Sequence, residues 1–262
     1  MSTALCAPWL GRMIGAAYRD RIPYRGLRLD VRDADLPPVS KALLFWGLYE
    51  SAEYRFVRDY LRSDLDVIEM GSGVGAISCQ VARRLDPGKS LVCVEADPKL
   101  ASALRRNLAA HAAHLEAHAL SAAVSYEAGV GDSVWFEAKA NHLGSRLAAS
   151  PVDRGEVAAP QDESNAGSKS QYLEIPVKTL SEVWQQHSGG EYQLILDIEG
   201  AEVGLFECEA EALASCRVLV LECHRAEWQG EVYRVDSLIQ RIEQLHHFKL
   251  ADRYGPVCCF VR

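Results

Sequence analysis

The stretch Val67-Ile68-Glu69-Met70-Gly71-Ser72-Gly73-Val74-Gly75 constrains this chain more than any other. A short, mostly apolar run reads as a buried strand, and three glycines at alternate positions end it. Glycine permits positive φ and lets the backbone approach a ligand closely. The following helix, expected over Ala76–Leu85, aims its free N–H groups at the same place. Asp86-Pro87-Gly88 stops that helix. Leu91–Glu95 reads as a second strand, and Pro98 opens a helix running to about Ala112. Such strand–helix repetition builds a doubly wound, mostly parallel α/β sheet that presents ligands at the carboxyl ends of its strands.

Further strands are expected at Ala117–Leu120, Tyr172–Val177, Tyr192–Leu196 and Val218–Leu221. A hairpin is expected from Ala123–Tyr126 through Gly129–Asp132 to Val134–Ala138, and a helix over Asp236–Leu245. Phe248–Tyr254 and Val257–Val261 flank a turn too short for a crossover, so they form a C-terminal antiparallel hairpin. Upstream of the sheet, helical spacing from Ser40 to Gly47 and at Tyr54, Val57, Tyr60 and Leu61 suggests an N-terminal helical layer. The organisation expected is a cap region over 1–62 and one α/β domain over 63–262. Residues 148–170 lack any hydrophobic period and read as a flexible loop or lid.

The 262 residues, 48% hydrophobic and 24% charged, suffice for a large core. A net charge of −8 argues against a phosphate-backbone partner, so no nucleic acid is expected. Eight cysteines show no C-x-x-C pair and no zinc spacing, as befits small buried side chains in a reducing cytosol. Of vicinal Cys258 and Cys259, one is expected to face the core. His111, His114 and His118 sit where a helix ends and do not share a face. No secretory pattern and no run near the roughly 20 apolar residues of a membrane span is seen, so a cytoplasmic location is expected.

Two acids refine the glycine turn. Glu69 lies two residues before Gly71, where it would attract a cation and repel a pyrophosphate. S-adenosylmethionine (SAM) carries a sulfonium and an ammonium. Glu95, ending the next strand, can accept both ribose hydroxyls of such a ligand. Gly71-x-Gly73-x-x-Ala76 also fits a dinucleotide fingerprint, so an NAD(P)-binding oxidoreductase stays open, although no Tyr-x-x-x-Lys pair is present. A non-catalytic SAM-fold binding module is the third reading.

Two later strands end in polar groups: Asp197 and Glu199, then Glu222 and His224. If these strands neighbour the first, all four approach one place, and in extended chain each pair shares a side. His224 is the simplest general base, because an imidazole titrates near neutrality. Asp197 could position cofactor or acceptor, and Glu199 could join it or cap the next helix. Together Asp197, Glu199, Glu222 and His224 could instead hold a divalent metal such as magnesium.

These residues resemble the FkbM-type methyltransferases over about residues 47 to 225. The matching stretches are Gly47-Leu48-Tyr49-Glu50, the glycine turn, Val94-Glu95-Ala96-Asp97-Pro98 with Asn107, Asn141–Ser145, Val177–Leu180, Leu196-Asp197-Ile198-Glu199-Gly200-Ala201-Glu202 and Leu221-Glu222-Cys223-His224. The family more often carries Asp where Glu69 stands, and Ala-Asn where Ser72-Gly73 stand. The resemblance implies a seven-stranded Rossmann-like class I sheet. It also implies SAM as cofactor and O-methylation of a sugar, glycan or polyketide-type hydroxyl. It places the cofactor at Glu50, Glu69, Gly71, Ser72, Gly73, Gly75, Glu95, Ala96 and Asp197. Catalysis would then fall to His224, Asp197 and Glu199, with Asn141 and His142 near the acceptor.

Overall fold

The structure, a computed structural model, describes residues 5–127, 132–138, 146–148 and 171–262. The N-terminal layer is not wholly helical. Between α1 (Pro8–Tyr18) and α2 (Pro38–Phe45) lies a hairpin, β1 (Arg21–Tyr24) with β2 (Leu27–Asp30). Its turn is Arg25-Gly26, both at positive φ. A two-residue hairpin turn needs that backbone, but usually signals it with Asn-Gly or Asp-Gly. Ile22, Tyr24 and Leu29 are fully buried under it. Helix α3 (Ser51–Tyr60) completes the layer.

The glycine turn links β3 (Asp66–Met70) to α4 (Ala76–Ala82). Then come β4 (Ser90–Glu95), α5 (Pro98–His111) and β5 (Glu116–Ser121). Asp97 caps α5 by accepting from Lys99 N at 2.8 Å, with Pro98 fixing the first helical φ. Next are β6 (Ser133–Ala138), β7 (Arg146–Ala148), β8 (Gln171–Pro176), α6 (Leu180–His187) and β9 (Tyr192–Leu196). Thr179 and Glu182 form a capping box at the start of α6. The chain continues through α7 (Glu202–Cys208), α8 (Ala210–Ala214), β10 (Cys216–Glu222), β11 (Ala226–Trp228) and β12 (Glu231–Tyr233). It closes with α9 (Val235–His246), β13 (Lys249–Tyr254) and β14 (Val257–Val261).

Seven strands form the main sheet in the order β13-β14-β10-β9-β3-β4-β5. The five from β10 to β5 are parallel, and β14 runs antiparallel to both its neighbours. After β3 the chain builds outward through β4 and β5, then returns to place β9 on the other side of β3. The crevice between β3 and β9 is therefore the topological switch point, where open α/β sheets bind ligands.

One expectation fails. Ala123–Tyr126 does not pair with Val134–Ala138; Ala123 makes a single parallel bridge to Val177. Instead β6 pairs antiparallel with β8 along its whole length, from Ser133↔Pro176 to Ala138↔Gln171, and with β7 on its other edge. The distant strand satisfies six residues of backbone where the local one would satisfy four. The expected turn at 129–131 and the loop at 149–170 lie outside the described residues.

Alternating side chains bury both faces of the sheet. Ile68, Met70, Val92, Leu194 and Leu219 pack under α6 to α9, while Val67, Leu91, Cys93, Ile195 and Val220 pack under α3, α4 and α5. Cys258 joins the first face and Cys259 the second, so both are buried, not one. The strand β14 is covered on both sides, which a reading by alternation alone does not foresee.

Asn107 ties the N-terminal layer to the glycine turn. Its amide donates to Val74 O at 2.8 Å and to Asp30 O at 3.3 Å, and its Oδ1 accepts from Asp30 N at 2.7 Å. The side chain is buried. Asn107→Ala leaves one buried and two half-buried backbone groups without that partner, and a loss of about 2 kcal/mol is expected, read from urea melts.

Candidate active site

The strand register sets the site. Met70 pairs with both Leu196 and Val94, and Leu196 pairs with Leu221. One residue further, Glu95, Gly71, Asp197 and Glu222 therefore stand side by side at the carboxyl edge of β4, β3, β9 and β10. Backbone bonds lock the row: Gly71 N donates to Val94 O at 2.9 Å and Asp197 N to Met70 O at 2.9 Å. Gly71 has φ +86, and a Cβ there would lie 1.7 Å from Asp197 O. Only glycine fits. Gly73 is different: the nearest atom to a Cβ would be Tyr49 Oη at 3.9 Å, so this side of the turn is open. Gly75, at φ +83, begins α4.

The carboxylate of Glu95 holds the turn. One oxygen accepts from Gly73 N at 2.8 Å and the other from Asp97 N at 2.7 Å. Ser72 is buried, its Oγ donating to Glu69 O at 3.3 Å. Glu69 itself is buried, with Cys93 Sγ 3.6 Å from its carboxyl. Burial, with the nearby charge of Glu95, pushes its carboxyl up to about 7. Glu50, half-buried, starts α3 at φ +44, and burial with the charges of Glu53, Asp197 and Glu69 holds its carboxyl well above the usual range. Glu53, buried, is pushed up to about 7 by desolvation and by facing Glu222.

At the other end of the row stands His224. Its Nδ1 lies 2.8 Å from Glu202 Oε1, and Glu202 is fully buried. Its Nε2 lies 3.7 Å from both Asp197 Oδ1 and Glu199 Oε2. His224 Nδ1–H thus donates to Glu202, which leaves Nε2 facing the two acids. Burial opposes a charge on the imidazole, but the hydrogen bond and charge of Glu202, then Asp197 and Glu199, raise its pKa to about 9. Burial, followed by the charge of Glu222, raises Asp197 to about 8. Asp197 Oδ1 is buried without a hydrogen-bond partner. Ligating atoms of Asp197, Glu199 and His224 lie within 4.8 Å of one another.

The FkbM methyltransferase domain matches residues 70–250, a span that holds the glycine turn and both acidic strand ends. This chain belongs to the FkbM methyltransferase family. No curated protein matches the sequence. Among solved structures it is similar to a magnesium protoporphyrin IX methyltransferase from Synechocystis PCC 6803 with bound SAH, the demethylated product of SAM: 13% identical, TM-score 0.42, covering 81% of each chain. A ribosomal protein L11 methylase from Lactobacillus delbrueckii subsp. bulgaricus is 8% identical at TM-score 0.42, over 82% of this chain and 77% of that one. The mitomycin 7-O-methyltransferase is 12% identical at TM-score 0.43, over 85% of this chain and 55% of the other.

The FkbM residues quoted from the sequence fall into two groups. Gly71, Glu95 and Asp197 stand side by side at the carboxyl edge, with Gly73 bonded to Glu95 and the charges of Asp197 and Glu69 acting on Glu50, while Ser72 and Gly75 lie in the same turn and Ala96 follows Glu95; Asp197, Glu199 and His224 meet beside them. Glu222 does not join the latter three: it turns toward Glu53 on α3, because β10 ends at Glu222 and extended alternation stops there. Glu199 does not cap α7. It lies in a turn at φ +52, and Ala201 stands at the cap position. Its meeting with Asp197 comes from that turn rather than from strand alternation. His111 and His114 bond separate backbone carbonyls, Arg28 O and Ala82 O. Asn141 and His142 lie outside the described residues. Three neighbours went unassigned in the sequence: Tyr49, Glu53 and Glu202. Tyr49 and Glu202 each stand in a matching stretch with no role attached to them, and Glu53 stands in none.

Proposed function

We propose that this FkbM methyltransferase transfers the methyl group of SAM to a hydroxyl of a sugar, glycan or polyketide-type molecule. The observation that carries the reading is a crowd of carboxylates at the switch point, Glu50, Glu53, Glu69 and Asp197, whose pKa values are raised by burial first and then by the charge of neighbouring acids. Such a site stores repulsion that a cationic ligand relieves. When bound, SAM supplies the activated methyl carbon. The open side at Gly73 admits the nucleoside part, with Glu95, which accepts from Gly73 N, as the ribose partner. Glu69 acts through the turn, by charge. His224 Nε2, oriented by Glu202, takes the acceptor's proton, and Asp197 and Glu199 hold the acceptor hydroxyl in line.

A second reading has its own observation. The three clustered ligating atoms with the unpartnered Asp197 Oδ1 suit a magnesium-sized cation that would polarise the acceptor hydroxyl, with Glu202 orienting His224 from behind. Retention of full turnover in excess chelator eliminates it.

Calorimetry with SAM tests the first reading, and silence at millimolar SAM sinks it. SAM binding without transfer to any hydroxylated acceptor would leave a binding module. The pH dependence is also fixed in sign. Glu69 keeps its proton in the folded chain up to about 7, whereas the unfolded chain releases it near the ordinary value of 4.5. Its contribution to stability is complete below that lower value and is lost as pH rises through about 7. A cation favours the ionised carboxylate. SAM affinity therefore falls as pH drops from about 8 to 5.5, and binding at pH 7 releases protons, measurable by calorimetry in buffers of different ionisation enthalpy.

A further inference from the structure

Of the ten large hydrophobic side chains exposed among the described residues, six belong to the N-terminal layer: Leu5, Trp9, Met13, Tyr18, Val39 and Trp46. Leu5, Tyr18 and Trp46 are linked directly or through Phe45. Trp46 Nε1 donates to Leu5 O at 3.0 Å, and the Phe45 ring lies 4.9 Å from Trp46 and 5.5 Å from Tyr18. Trp9 and Met13 follow one turn apart on the outward face of α1. They are 55% and 60% exposed.

This helix buries a narrow face: Ile14 enters the core with Leu10 packed against it, and Gly11 and Gly15 let the helix approach closely, since a Cβ on Gly11 would lie 1.7 Å from Pro38 O and one on Gly15 would lie 2.6 Å from Asp20 Oδ1. Trp9 and Met13 point to solvent, where an ordinary surface helix carries polar residues. The only charged residue in α1 is Arg12, which is exposed. Residues 1–32 hold six arginines against two aspartates, a net of +4 in a chain whose total is −8.

Aromatic and thioether side chains on a helix bordered by arginine suit the boundary between lipid headgroups and acyl chains. The charge asymmetry suits an anionic surface, and it turns the acidic remainder of the molecule away from it. A second copy of this chain fits the face less well, because a two-fold contact centred on α1 brings like-charged Arg12 side chains together. We propose that the N-terminal layer docks on an anionic lipid bilayer, lying in its headgroup region without crossing it. Among the described residues no helix is long and apolar enough to cross. From Trp46 the chain needs four residues to reach Glu50, so a docked layer holds the candidate active site beside the membrane. The proposal stands whatever the methyl acceptor is.

The test is flotation of the full chain with vesicles of phosphatidylcholine and about 30% phosphatidylglycerol, against phosphatidylcholine alone. Flotation with the anionic vesicles is expected near 0.1 M salt. It should fall by roughly tenfold or more at 0.5 M salt, in Trp9→Glu/Met13→Glu, and in Arg12→Glu/Arg19→Glu. Trp9→Phe should lose part of the lipid-induced blue shift in tryptophan emission. The charge pair leaves the apolar face intact, so the two variants cannot both fail through the same folding defect, and melting curves exclude misfolding in each. The idea is overturned if the folded chain floats with neither vesicle. It also fails if a folded variant floats like the native chain. A native dimer that Trp9→Glu/Met13→Glu converts to monomer, without vesicle binding, would assign the face to a second copy instead.

Discussion

Gly71→Ala is expected to cost about 4 kcal/mol or more and to abolish SAM binding, while Gly73→Ala folds nearly as well as the native chain and loses binding alone. The two glycines are separated by one residue, yet their surroundings differ. At Gly71 the added methyl would meet the Asp197 carbonyl at 1.7 Å, and φ is +86. The carbonyl cannot yield, because the same segment is held by the bond from Asp197 N to Met70 O. Relief requires parting β3 from β9, a central pairing of the sheet, and close backbone contacts of this kind belong to the severe tail of single substitutions. At Gly73 φ is +53, a left-handed value that alanine adopts for about 1 kcal/mol, with no atom nearer than 3.9 Å. Its methyl projects into the open side, where the cofactor is proposed to lie. Thermal melts and calorimetry on the pair separate scaffold from cradle. Normal SAM binding by folded Gly73→Ala would remove the ligand from the turn.

The contrast also shows what sequence can and cannot convey. Four of the five parallel strands are legible because each is buried on both faces and so reads as an apolar run, whereas the edge strand β5, only half-buried, carries no such run. Asp97-Pro98 and Thr179-x-x-Glu182 carry their helix starts in side-chain chemistry, although only the first was read as one. The β1–β2 hairpin was hidden because Arg25 occupies a positive-φ position where asparagine or glycine gives the signal. The β6–β8 pairing spans more than thirty residues, and no local period encodes a partner at that distance. Within the site, grouping Glu222 and Glu199 with Asp197 and His224 by alternation requires that the chain stay extended past the strand ends. It does not, and the turn at Glu199 brings the acid to His224 while Glu222 departs toward α3. Glu202 is silent in the sequence for a different reason. An acid in the first turn of a helix complements the helix dipole, so its type there announces nothing more. Burial makes it unusual, and burial is a tertiary property.

Glu202 and His224 give the sharpest test of the catalytic reading. His224→Ala is expected to lower methyl transfer by about 10²–10⁴-fold with SAM binding kept, the range for loss of a general base. Glu202→Gln preserves shape and still accepts from Nδ1, but it removes the charge. The pKa of His224 must then fall from its raised position, since Glu202 supplies the main effects that lift it. For the native pair, the raised pKa contributes stability that is complete below the ordinary imidazole value of 6.5 and lost as pH rises through about 9. The stability gap between native chain and Glu202→Gln should accordingly be widest near pH 6 and close toward pH 9.5. Histidine ring NMR reads the pKa without needing the acceptor. With an acceptor in hand, the rise of rate with pH should move to lower pH in Glu202→Gln, because the imidazole becomes an available base sooner. A purely structural Glu202 would lower melting temperature evenly across that range and leave both the NMR titration and the rate profile in place.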